Sequence, residues 1–228
     1  MSEAGEARLM AARVLDLRLS GDRWDFAARH DAEIAAHWAR RSTENPHYFN
    51  GVVLMLADFA LTEDGCFSGR FIRTDFRSFL YWRETGQPAR TVRDTVGTAL
   101  IRSREGHVLL CQQRPGHLNT GFTTPPGGFI DARDVDGDGT VDVVRAVQRE
   151  IAEETGLGAE HLSREPGFLV AVAGPLVSIA VPWRSDLAAA DLVAHASRHI
   201  ASEAEGELAR VLALPAAEAL DTLTMPDY

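Results

Sequence analysis

Lysine is absent from this sequence. All 23 basic residues among its 228 are arginine, set against 33 acidic ones for a formal charge of −10 at pH 7. Without lysine there is no amine nucleophile, no Schiff base and no P-loop phosphate lysine. Anion recognition falls to arginine forks or backbone amides. The acidic excess argues against a nucleic acid polymer as partner. There are only two cysteines, Cys66 and Cys111, with neither CxxC nor metal-ligand spacing, so free thiols in a reducing, cytoplasmic setting are expected. The amino terminus lacks the charged start and apolar core of a signal peptide. The longest apolar stretches are interrupted by Asp58 and by Gly174-Pro175, which leaves no membrane span to predict. What remains is the balance of a chain with a real core: 45% apolar and 25% charged residues.

Apolar periodicity predicts a strand over 13–19 and a helix over 22–41. A hairpin should follow, with strands 51–61 and 66–73 around Thr62-Glu-Asp-Gly65, and then a short helix, FRSFLYWRE, capped by Asp75. The polar stretch 84–94 marks a boundary between an amino-terminal strand-helix-hairpin unit, 1–92, and a second domain, 93–228. The second domain should hold a hairpin over 95–101 and 107–112, a helix over 142–155 and strands at 168–173 and 176–181. A helix over 188–201, a strand at 208–214 and a final helix over 216–223 complete it. No internal repeat is present. The expected class is α/β, with helices set among mixed strands.

Residues 149–157 read Arg-Glu-Ile-Ala-Glu-Glu-Thr-Gly-Leu, downstream of the pair Gly127-Gly128. On a helix, Glu150, Glu153 and Glu154 share one face, being related by i, i+3 and i+4. Carboxylates gathered this way repel one another unless a cation sits among them, and oxygen ligands suit Mg²⁺ or Mn²⁺. The opposing interpretation is a solvated acidic helix face.

The surrounding residues favour the first. Arg149, Glu150, Ile151, Glu153, Glu154, Gly156 and Leu157, with Gly128 upstream, resemble the Nudix hydrolase signature, Gly-x5-Glu-x7-Arg-Glu-U-x-Glu-Glu-x-Gly-U with U aliphatic. The pattern allows 13 residues between its first Gly and its Arg, whereas 20 separate Gly128 from Arg149, an insertion of seven. Eight positions before Arg149, where the first Glu is expected, stands Val141; Asp142 is the nearest substitute and Asp131 a weaker one. Within the insertion, Asp134, Asp136, Asp138 and Asp142 follow the spacing of a calcium loop with Gly139 in its turn, but Arg145 occupies the place of the final bidentate carboxylate. Ca²⁺ binding there competes with an exposed acidic turn favouring the next helix start.

The resemblance implies an α/β/α sandwich with a mixed sheet, and hydrolysis of a nucleoside diphosphate linked to another group. Mg²⁺ or Mn²⁺ would be held by Glu150, Glu153 and Glu154 with the Gly127 carbonyl. Glu150 would be a ligand or the general base, and Arg149 would orient the carboxylates. Glu203, Glu205 and Glu207 are candidates for a further acidic residue, with Glu205 chosen. Arg114 and Gln112 are expected on the substrate. Pro46-His-Tyr-Phe-Asn-Gly51 and the TDFRSFL helix look like the branch that holds the UDP-glucose diphosphatase of animals. That implies a UDP-sugar cleaved to UMP and sugar 1-phosphate; the alternatives are ADP-ribose or another Nudix substrate, or a weakened module that only binds nucleotide or calcium. A homodimer surface on the amino-terminal unit is a further expectation.

Overall fold

This computed structural model describes residues 7–203 and 206–215; Glu205 and the helix expected over 216–223 lie outside the described residues. The chain opens with β1 (Arg8–Ala12) and β2 (Val14–Leu19), followed by α1 (Asp25–Arg29), α2 (Asp31–Glu44), β3 (Val52–Leu61), β4 (Cys66–Asp75) and α3 (Phe76–Glu84). Next come β5 (Arg93–Arg102), β6 (Val108–Gln113), β7 (Thr123–Thr124), β8 (Gly127–Phe129) and α4 (Val143–Thr155). The last elements are β9 (Ser163–Arg164), β10 (Phe168–Ala173), β11 (Leu176–Arg184), α5 (Ala189–Ser202) and β12 (Leu208–Leu214). The mixed α/β class stands, with helices flanking one large mixed sheet.

Three differences from expectation have local causes. The helix foreseen over 22–41 breaks at His30, whose ring stacks on Phe26 at 4.4 Å and whose Nδ1 lies 3.0 Å from the Phe26 carbonyl. A strand missed at Arg8–Ala12 pairs with β10. The hairpin of β5 and β6 reduces to one pair, Arg102 with Val108, because β6 turns away to pair with β12. β5 is instead flanked by β11 in parallel and by β3 and β8 antiparallel, the central place its apolar run suits.

The main strand order is β1-β10-β11-β5-β3-β4-β2. β1 and β2 lie at opposite ends of that order, yet Arg13 alone separates them in the chain. The sheet must therefore curl until its two ends meet. Strands from both sides of residue 92 share it, through β1 with β10 and β3 with β5.

Apolar residues of α4, Val143, Val147 and Ile151, join Leu54, Phe67, Phe71, Ala99, Ile101, Val177 and Ile179 in the main core. A second cluster covers the other face of β3 and β4, where Trp24, Phe26, Phe79 and Trp82 from α1 and α3 pack on Val53, Met55 and Ile72. α3 is capped as its sequence suggests: Asp75 accepts from the Ser78 amide at 3.0 Å. Cys66 and Cys111 are both free thiols; burial, with Glu154 nearby, pushes the Cys111 thiol up.

Candidate active site

Two features fix α4. Asp142 accepts from the Arg145 amide at its start, and Gly156 ends it in the left-handed conformation with φ 66°. One helix face, carrying Val143, Ala146, Val147 and Ile151, is buried. Glu150, Glu153 and Glu154 therefore fall where the helix meets β8, and each has a different environment.

Glu154 accepts the Gly127 amide at 2.9 Å. Burial, and then the charge of Glu150, pushes its carboxyl well up. Glu150 lies under Gly128, where a Cβ would come within 2.8 Å of its carboxyl carbon and 3.0 Å of both oxygens, so the glycine makes room for the carboxylate. Burial raises Glu150 to about 7 even though Arg149 beside it pulls the other way; Glu153 and Glu207 add to the rise. Glu153 is more exposed.

Arg149 binds this cluster together. Its guanidinium donates to Glu150 at 2.5 Å, Glu153 at 3.3 Å, Asp134 at 3.2 Å and the Phe129 carbonyl at 3.4 Å, and lies 3.7 Å from Asp131. Asp134 is almost wholly buried. It, and not Asp142, is the acidic side chain that meets Arg149. Counting forward from Gly128 reaches Asp134 at the Gly-x5-acidic spacing; counting back from Arg149 through the insertion misses it. Asp142 is spent on the helix cap and lies 3.8 Å from Arg145.

The other loop carboxylates also have partners. Asp136 pairs with Arg145 at 2.8 Å, and Asp138 pairs with Arg18 at 3.3 Å and accepts the Thr140 amide. The loop is stitched to β2 by Leu19 N to Gly139 O at 2.8 Å and Val141 N to Leu17 O at 2.9 Å. A cation entering it has to displace arginines.

The residues foreseen on substrate sit elsewhere. Arg114 donates to the carbonyls of Leu208, Ile200 and Glu203, clamping the end of α5 to β12. Gln112 donates to Thr123 and accepts from Arg210, each at 2.7 Å, so both ends of its amide are engaged within the fold.

Two adjoining cavities share Glu150, Glu153 and Glu207 as a common wall. The smaller, about 200 Å³, is bounded by Glu154, His199 and Glu203; the larger is about 970 Å³. Arg83, Arg133 and Arg149 line the larger one, with aromatic walls from Tyr48, Phe76, Phe122 and Phe129. Glu207 was foreseen among the loop acids, whereas Arg83, inside a helix read for its apolar face, was not.

Within residues 91–186 the sequence matches the model of the NUDIX domain. That stretch is similar to a NUDIX domain. The match supports a hydrolase acting on phosphoric anhydrides. Among solved structures, a Nudix hydrolase from M. smegmatis, RenU, is 16% identical, covering 74% of this chain and 85% of that one with a TM-score of 0.41. A C. elegans Ap4A hydrolase binary complex is 18% identical over 56% of this chain and 83% of its own, TM-score 0.36. A MutT protein from Methanosarcina mazei Go1 is 20% identical over 58% and 83%, TM-score 0.34. Likeness at this level carries no argument about substrate. No curated protein matches.

The chemistry of this donor set, all carboxylate oxygens, suits a hard divalent ion. Glu150, Glu153, Glu154 and Glu207 are close enough to feel one another's charge, and Arg149, shared with Asp134, bonds the first two. Among the described residues, no three His, Cys, Asp or Glu side chains are placed close enough together to hold a metal ion as they stand. Arg149 holds Glu150 and Glu153, and Gly127 holds Glu154. Burial first, and neighbouring carboxylates second, hold Glu150 and Glu154 above the usual carboxylate range, and a bound cation would oppose both.

One more carboxylate lines the large cavity. Asp94, on β5, is only 7% exposed, and burial lifts it from 3.8 to about 6, with Arg83 acting in the opposite direction. A raised carboxyl means the native state holds its proton more tightly than the unfolded chain. The stability this gives is complete below about pH 3.8 and is lost as pH rises through about 6. At pH 8 the buried charge costs up to about 3 kcal/mol. Asp94→Asn should therefore melt higher than wild type at pH 8 by roughly 6–12 °C, with a gain that shrinks toward pH 4.5. An equal gain at both pH values would remove ionisation as the cause.

Proposed function

We propose that the protein hydrolyses a nucleoside diphosphate-linked substrate of the UDP-sugar type, giving UMP and sugar 1-phosphate, with Mg²⁺ or Mn²⁺ held by Glu150, Glu153 and Glu154 together with the Gly127 carbonyl. The observation that carries the reading is the continuity of the Nudix carboxylates with a 970 Å³ cavity. That space suits a substrate with groups on both sides of its diphosphate.

When bound, the ion neutralises the diphosphate and lowers the pKa of the attacking water. The protein supplies the rest. Arg149, anchored by Asp134 and Asp131, fixes Glu150 and Glu153 in place. Arg133, near Glu153 at 3.9 Å, lines the cavity beyond it and takes the phosphate-facing part that lysine cannot. Water attacks one phosphorus, the bridging P–O bond breaks, and the water proton passes to a carboxylate, which is Glu150 where Glu153 and Glu154 hold the ion without it. Glu205 was the loop base foreseen; its described neighbour Glu207 borders both cavities and raises Glu150 and Glu154.

A hydrolysis panel with Mg²⁺ tests the reading, using UDP-glucose, other nucleotide sugars, ADP-ribose and dinucleoside polyphosphates with product identification. UMP and glucose 1-phosphate in equal amounts are expected. Turnover confined to ADP-ribose or dinucleotides overturns the sugar assignment, and nucleotide binding with no turnover favours a binding module.

A further inference from the structure

Along β5 the side chains alternate. Thr95, Gly97 and Ala99 turn to the α4 side, where a Cβ on Gly97 would meet Val147 at 2.9 Å. Asp94, Val96 and Thr98 turn to the large cavity. Their parallel partners on β11, Leu176, Ser178 and Ala180, extend the same floor. Most of this floor is apolar or already satisfied, since Thr98 and Ser178 bond each other at 3.1 Å. Asp94 is the exception. Its Oδ1 is buried and has no hydrogen-bond partner among the described residues.

A buried acceptor left unpaired is costly, and a carboxylate more so than most. Arg83 is near enough to be felt by Asp94, but the two form no ion pair within 4.0 Å among the described residues. Arg83 donates instead to Asn119 Oδ1 at 3.1 Å. A carboxylate that only accepts and a guanidinium that only donates thus border one cavity without closing on each other.

The cavity also places this pair. Gly128, over Glu150, lies opposite Gly97 across the β8–β5 ladder, and Asp94 is three residues further along β5, about 10 Å. That is a span suited to the nucleoside or sugar carried by a phosphate standing at Glu150.

We infer that Asp94, with Arg83, is a specificity-determining residue that accepts a hydrogen bond from a neutral O–H or N–H donor at the far end of the substrate. The inference rests on the proposed nucleotide-sugar reading and deepens it. The donor is either a base edge or a sugar hydroxyl; both place a donor beside an acceptor, and the guanidinium serves the acceptor. The same carboxylate disfavours a substrate whose far end is anionic.

The test compares wild type with Asp94→Asn, which keeps the side-chain volume and is expected to fold at least as stably at pH 8. Steady-state kinetics on UDP-glucose should show KM raised about 3- to 20-fold, because the amide oxygen can still accept but without the charge that strengthens the bond, with kcat changed by less than about threefold. Calorimetric binding of UMP and of glucose 1-phosphate locates the contact. Weakened UMP places the base or ribose at Asp94, and weakened glucose 1-phosphate places the sugar there. Unchanged KM together with unchanged affinity for both halves overturns the inference. If wild type instead neither binds nor cleaves UDP-glucose but turns over ADP-ribose, the sugar assignment has failed. Asp94 is then judged by the same KM comparison on ADP-ribose.

Discussion

Glu154→Gln should abolish hydrolysis, lowering kcat by on the order of 10²–10³ or more, while the protein stays folded. The amide matches the carboxylate in size and can still accept the Gly127 N–H that Glu154 takes at 2.9 Å. What it removes is a charge held beside Glu150 in a site where burial already opposes ionisation. Two outcomes should part company. Without divalent ion the variant should melt at or above the wild-type temperature, because a repulsive buried carboxylate is gone. On adding Mg²⁺ or Mn²⁺, wild type should gain stability by mass action and the variant should gain much less. Normal turnover, or an equal ion-induced shift in both proteins, would refute Glu154 as a ligand.

The largest effect on the fold is expected at Gly127→Ala. A Cβ at this position would lie 2.2 Å from the Gly97 carbonyl oxygen and 2.8 Å from the Thr98 Cα. Both obstacles are backbone of the neighbouring strand, so no side-chain rotation relieves them. Its φ of 154° adds strain for any residue with a Cβ. Relief means pulling β8 from β5, and with it the Gly127 amide from Glu154 and Gly128 from above Glu150. A loss of about 4 kcal/mol or more follows, or roughly 8–16 °C in Tm for a chain of this size. Gly137→Ala is the control: nothing lies within 4 Å of its Cβ, and its melting temperature should barely move. Comparable losses in the two variants would mean that something other than the clash with β5 is responsible, since the entropy change of Gly→Ala alone stabilises.

Legibility in the sequence followed the range of the interactions. Helices α3 and α4 were readable because their caps, Asp75 and Asp142, and their apolar faces lie within a few residues of each other. The carboxylate triad was readable for the same reason, as one helix face. Arg8–Ala12 was not, since its strand character depends on β10, far away in the chain. The contacts of Arg114 and Gln112 within the fold were not legible, because a polar residue at a strand end looks the same whether it meets a ligand or the chain's own groups. Asp134 was hidden by a counting choice across an insertion, and only its buried contact with Arg149 separates it from Asp142. Asp94 gave no signal, because a single acid in an apolar run reads as an interruption until its neighbours are seen to leave it without a partner.

The closed sheet has a consequence for how the molecule guards itself. An open sheet exposes two rows of unpaired amides and carbonyls, each a template for another chain. Here one short segment, Arg8–Leu19, covers both: β1 lies along β10, β2 lies along β4, and the Arg13 amide between them donates to the Gly65 carbonyl at 2.7 Å. Fraying of that segment would bare two edges in one event. Self-association should therefore begin from the amino-terminal end of the described chain, and the same fraying would release the acidic loop that β2 holds at Leu17 and Leu19.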